Sequence, residues 1–159
     1  MRGSGHSSLR KGRYSIPGCV YHVVTTTRER NHIFSELLLA RAVARTLFES
    51  PNARILAYAL MPDHLHYLLK LGDKSLAEEV KAFKAISARR VNQLRGESGS
   101  VWAKGFYDRA LKQEEDLRQA ARYVVANPLK AGLASSLAFY SHWDAVWMDE
   151  ATTPERLLL

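Results

Sequence analysis

One cysteine, Cys19, is the whole thiol content of the chain. An intrachain disulfide and a thiolate metal cluster are therefore excluded, which fits a reducing, cytoplasmic location. Long apolar runs are missing too. None approaches the roughly 20 residues of a membrane-spanning helix, so no membrane partner is expected. No signal-peptide pattern opens the chain, whose first residues, MRGSGHSS, are small and polar. Internal repeats and linkers are also lacking. The 159 residues read as one domain: a flexible basic arm over 1–15, a folded unit over 16–150 and a tail over 151–159.

Negative charge is the scarcer sign, with 16 acidic against 23 basic residues and a net of +7. The excess is unevenly placed. Residues 1–30 carry +5 and residues 81–112 carry +6, which leaves −4 for the rest. Two basic blocks on a mildly acidic body point to a polyanionic partner, nucleic acid being the commonest. A merely solvated surface is the plainer alternative.

Local pattern predicts seven elements. GCVYHVVTTTRER (18–30), ARILAYAL (53–60), HLHYLLKL (64–71) and GFYDRALK (105–112) read as strands, rich in Val, Tyr and other strand formers. A helix is predicted over 35–50 with Ser35 as its N-cap. A second runs over 75–95, opened by a Ser75/Glu78 capping box, with Leu76, Val80, Phe83, Ile86, Val91 and Leu94 on its apolar side. A third covers 114–127 and is stopped by Pro128. The order β-α-β-β-α-β followed by an extra helix matches an α+β, ferredoxin-like split βαβ arrangement: an antiparallel sheet with two helices on one face. The extra helix would cross an edge or the open face.

Two features carry chemistry. On a strand, His64 and His66 point to the same side with Leu65 on the other. Such a pair is either a divalent-metal clamp or two half-buried polar residues. His22, on the first strand, is either a neighbour in such a site or, the plainer reading, a structural residue that supports it from behind. On the third helix Tyr123 and Asn127 stand four residues apart and share a face, joined by Gln119, away from the apolar Leu117, Ala121 and Val124. A tyrosine there is either a core-edge residue or a phenol projecting toward a site elsewhere. A nucleophilic tyrosine needs activation or a polarised electrophile, because its pKa is near 10.

MPDHLH, then GFYDRAL, then ARYVVANPLKAGL, in that order and spacing, resembles the REP-associated tyrosine transposases. These belong to the single-tyrosine HUH transposases (His–hydrophobic–His), which cut and rejoin single-stranded DNA. The resemblance runs from about Tyr21 to HWDAVW at 142–147. It implies that His64 and His66 are metal ligands, that Tyr123 is the nucleophile and that Asn127 is a third, amide ligand where relatives often have Gln. Relatives often place His after FYD; here it is Arg109, to which no catalytic role is given. The implied cofactor is Mg or Mn. Imidazole ligation leads us to expect Mn to work at least as well.

The implied partner is single-stranded or hairpin DNA, cut through a 5′-phosphotyrosine without any nucleotide cofactor. Candidate DNA contacts are Arg10, Lys11 and Arg13 in the arm, Lys81, Lys84, Arg89 and Arg90 on the second helix, and Lys104 and Arg109 beyond it. Trp102, Phe106 and Tyr107 are candidates for stacking on unpaired bases, with core packing as the alternative. Trp143 and Trp147 are expected to pin the C-terminal segment. A monomer is expected, with a dimer as the alternative. The rival readings are a relaxase of the same chemistry, a hairpin-binding protein that no longer cleaves, and a ferredoxin-like RNA-binding domain.

Overall fold

The computed structural model describes residues 15–145. Five strands make one antiparallel sheet: β1 (Val20–Thr26), β2 (Ala53–Leu60), β3 (His64–Leu71), β4 (Tyr107–Leu111) and β5 (Trp143–Ala145). Their order is β4-β1-β3-β2-β5. The first four follow the expected ferredoxin-like order, and β5 adds an edge on β2 through Ala57–Ala145 and Ala59–Trp143. Trp143 also donates its indole N–H to the Leu137 carbonyl, so it does hold the C-terminal segment. Trp147 lies outside the described residues.

Helices α1 (Leu37–Leu47) and α2 (Leu76–Arg95) cover one face, and α3 (Glu114–Lys130) covers the other. The period of two along β3 sorts its residues between these layers. Leu65, Tyr67, Leu69 and Leu71 enter the core beneath α1 and α2. Leu68 enters the core beneath α3, with Val124 and Val125. The side of β3 that bears Leu68 also bears His64 and His66. The histidines therefore extend the α3 layer, which crosses the open face.

The bounds of β2 and β3 are those read from sequence, while β1 and β4 are shorter. β1 ends because Thr27 leaves the ladder, its hydroxyl donating to the Asn31 and Asp63 carbonyls. Glu29 and Arg30 then turn the chain with φ of 56° and 55°. The capping box at Ser75 and Glu78 is present in both directions.

Three local expectations are corrected. Ser35 is not an N-cap. It closes a 3-10 turn, Ile33–Ser35, and Glu36 precedes α1 without a side-chain capping bond. The reason is tertiary: Phe34 is buried and its N–H binds the Pro62 carbonyl, so the helix starts only after this anchor. On α2, Ser87 is buried while Ile86 is half-buried and Leu94 exposed. The Ser87 hydroxyl donates to the Phe83 carbonyl and accepts the Trp102 indole N–H, so a polar residue completes the core.

Pro128, finally, does not stop α3, which continues to Lys130. A proline leaves the carbonyl four residues earlier without its partner. Here that carbonyl, Val124, accepts from the Asn127 side-chain Nδ2 at 3.1 Å. Gly132, at φ 71°, closes the helix end, and the Leu133 N–H returns to the Pro128 carbonyl.

Candidate functional site

Three neighbouring strands present alternate side chains toward α3. Arg109 and Tyr107 of β4 stand opposite His22 and Val24 of β1, and Val24 stands opposite His66 of β3. Because α3 packs chiefly over β2 and β3, a cavity of about 580 Å³ remains over β1 and β4, lined by His22, His66, Tyr107, Arg109, Asp116 and Tyr123, among others.

The two motif histidines are held by their Nδ1 atoms. His64 Nδ1 lies 2.6 Å from Asp63 Oδ1, and the other Asp63 oxygen accepts from Arg30 Nε at 2.8 Å. Burial alone would raise the Asp63 carboxyl, but the hydrogen bonds from His64 and Arg30 hold it below the usual carboxylate range. A carboxylate only accepts, so His64 donates from Nδ1 and its Nε2 keeps the lone pair. His66 Nδ1 lies 3.2 Å from His22 Nε2, and in the tautomer in which His66 donates to His22 its Nε2 likewise keeps its lone pair. A metal-binding histidine is commonly oriented through its other nitrogen in this way.

Both inner rings are buried. Burial, followed by the charge of Arg109, pushes the His22 imidazole down to about 4. Burial, followed by His64, His22 and Arg30, pushes His66 down to about 3. Near neutral pH these two rings are uncharged.

Tyr123 reaches the same point from α3. Its ring centroid is 6.0 Å from those of both His22 and His66, nearly perpendicular to each. The residue is 48% exposed, so its hydroxyl is not locked in the core. Lys130 Nζ sits 4.5 Å from the ring centroid, a cation–π contact one turn beyond Asn127. Asn127 itself has its Nδ2 bound to the Tyr123 and Val124 carbonyls. With the nitrogen committed to the helix, its Oδ1 is the end left to meet a cation.

The structure brings together the His64 and His66 imidazoles, whose ring centroids are 5.1 Å apart, while Asn127, one turn beyond Tyr123 on α3, is not among the residues that line the cavity. No group of three His, Cys, Asp or Glu side chains among the described residues is placed to hold a metal. Further ligands would come from substrate, which suits a catalytic rather than a structural ion.

The candidate DNA contacts scatter. Lys81, Arg89 and Lys104 are exposed, and Arg109 is in the cavity wall. Lys84 donates to the Ala103 and Gly105 carbonyls, and Arg90 pairs with Glu49 at 2.6 Å and Thr46 Oγ1 at 3.0 Å. Arg10, Lys11 and Arg13 lie outside the described residues. Of the three candidate stacking residues Trp102 is buried in the core. Sequence reasoning assigned no role to Asp63 or Lys130. It also missed what faces what: Arg109 opposite His22 follows only from strand register.

Residues 15–127 match the model of the family described as "Transposase IS200 like". A protein of Haemophilus influenzae named as a REP-associated tyrosine transposase is 20% identical over 123 residues, 70% of each chain. The structure of a REP-associated tyrosine transposase bound to a REP hairpin superposes with a TM-score of 0.65 at 20% identity, covering 89% of this chain and 92% of that one. A transposase-type protein of Deinococcus radiodurans gives a TM-score of 0.51 at 22% identity, with 71% and 93% covered. At these identities the structural likenesses speak to the fold.

Proposed function

The chain belongs to the IS200-like transposases, and on that premise we propose that it is a metal-dependent single-stranded DNA endonuclease and strand transferase acting at palindromic hairpins. The observation that carries the reading is the half-exposed Tyr123, set 6.0 Å ring to ring from the motif histidine His66.

His64, His66 and the Asn127 Oδ1 would hold Mg or Mn. When bound, such an ion supplies Lewis-acid stabilisation of charge on the scissile phosphate. Asp63 and His22 keep the two imidazoles oriented. Tyr123 Oη attacks phosphorus in line and loses its proton; the bond to the 3′ oxygen breaks and that oxygen takes up a proton. The products are a 5′-phosphotyrosine and a free 3′-hydroxyl. Attack by another 3′-hydroxyl on the same phosphorus reverses the step and joins a new strand, with no nucleotide cofactor. Arg109, which lines the cavity, would meet a phosphate oxygen.

Support for a hairpin substrate comes from the basic segments and from the relatives' names. The test is incubation with a panel of stem-loop DNAs, in Mn or Mg, followed by denaturing electrophoresis. We expect a protein–DNA adduct that is metal-dependent and absent from Tyr123→Phe and His64→Ala. Hairpin binding with no adduct across the panel and both metals would replace this reading with that of a non-cleaving hairpin-binding protein.

A further inference from the structure

On the opposite side of the β4 edge lies a second concavity, of about 480 Å³, between one face of α2 and residues 100–106. Its α2 wall is built from small side chains and aliphatic stems: Ala77, Ala85 and Ala88 beside Val80. The far wall is Trp102 and Phe106. Trp102 is held edge-on by Ser87, and Lys84 ties the loop down through the Ala103 and Gly105 carbonyls. The walls are therefore fixed by hydrogen bonds, and the rim carries the exposed Lys81 and Lys104. A mainly apolar groove with a cationic rim suits an apolar, ring-bearing group attached to an anion.

Phe106 and Tyr107 connect the two concavities. They are consecutive, yet Phe106 lines this groove and Tyr107 lines the cavity that holds Tyr123. A single strand wrapping around the start of β4 would pass from one to the other within a short stretch.

We propose that this groove is a nucleobase subsite: it takes one unpaired base of a single DNA strand whose nearby scissile phosphate lies in the histidine cavity. The base packs between the alanine wall and Phe106, and its flanking phosphates meet Lys81 and Lys104. The proposal rests on the DNA-cleaving function proposed above. The chain's own basic arm is a poor occupant. It enters near the start of α2, where Ser15 Oγ accepts the Leu76 N–H, but Arg10, Lys11 and Arg13 share the sign of the rim.

The test uses Tyr123→Phe protein, so that it does not depend on cleavage. A stem-loop DNA flanked by single-stranded thymidines, with 4-thiothymidine at each position in turn, is irradiated and the cross-linked peptides are mapped. We expect one or two positions to cross-link within residues 100–106. Ala85→Trp fills the groove from an exposed helix position. It should abolish these cross-links and weaken binding about tenfold without changing thermal melting. Lys81→Glu with Lys104→Glu should weaken binding with a shallower salt dependence. Binding of the DNA with no cross-link in the groove, and unchanged by Ala85→Trp, overturns the subsite while leaving the cleavage reading to its own adduct assay. Failure of every single strand to bind overturns both.

Discussion

The two faces of the sheet differ in what they leave open. Beneath α1 and α2 the central strands meet a filled core, in which Leu65, Leu69 and Val23 are fully buried. On the other face a single helix covers the sheet, and the uncovered part holds His22, His66, Arg109 and the tyrosine cavity. Neighbours on β3 make the contrast concrete. Tyr67 is buried under α2 with a hydroxyl that has no hydrogen-bond partner among the described residues, and burial raises its pKa well above the usual tyrosine range. His66, one residue earlier, spends each polar atom on orientation or on the cavity. One face supplies stability and the other chemistry, separated by the alternation of a strand.

That separation can be broken most directly by paired substitutions. Leu65→Ala should cost ~2–5 kcal/mol in urea unfolding, since the residue is fully buried. Tyr123→Phe should change stability by less than ~0.5 kcal/mol while removing the covalent adduct. If Tyr123→Phe destabilised as Leu65→Ala does, the tyrosine would belong to the core and the division would fail.

His22 tests the division from inside. It is buried like a core residue, yet its Nε2 faces His66 Nδ1. His22→Ala should weaken Mn binding about 10–100-fold by EPR titration, with partial recovery in His22→Gln, which keeps an acceptor. Equal affinities in all three proteins would make His22 mere packing.

A smaller effect follows from the same two rings in metal-free protein. Their folded-state values of about 4 and about 3 lie below the ordinary 6.5. Between 6.5 and those values the unfolded chain binds more protons than the native one. Stability is therefore full above about 6.5 and falls as the pH drops toward 4. His22→Gln should flatten part of that slope in urea titrations with chelator present; an unchanged slope would place the lost stability elsewhere.

Much of this was legible because it is periodic or local. The bounds of β2 and β3, the shared face of His64 and His66, and the Ser75/Glu78 box all follow from spacing alone. Tyr123 and Asn127 on one helical face were equally readable. What failed depended on partners distant in sequence. Ser35 lost its cap role because Pro62 claims Phe34, and α2 buries Ser87 because Trp102 needs an acceptor. Asp63 carried no signal of its own, because Arg30, one of the two side chains on its oxygens, lies 33 residues away. Trp102, Phe106, Lys81 and Lys104 were readable singly as candidate contacts, but the groove they share was not, because its walls come from segments joined only by the fold.

Asn127 offers the finest discrimination, because one side chain is asked to serve both stability and chemistry. Its Nδ2 donates to the Tyr123 and Val124 carbonyls, the latter left unpaired by Pro128. Aspartate cannot donate, and its charge near a helix C-terminus is unfavourable. Asn127→Asp should therefore lower stability by ~1 kcal/mol without metal. If Oδ1 is a ligand, the added charge should at the same time tighten Mg or Mn binding, so the two measurements move in opposite directions. Loss of stability with no gain in metal affinity would confine Asn127 to the helix end, leaving His64 and His66 as the protein's whole contribution to the ion.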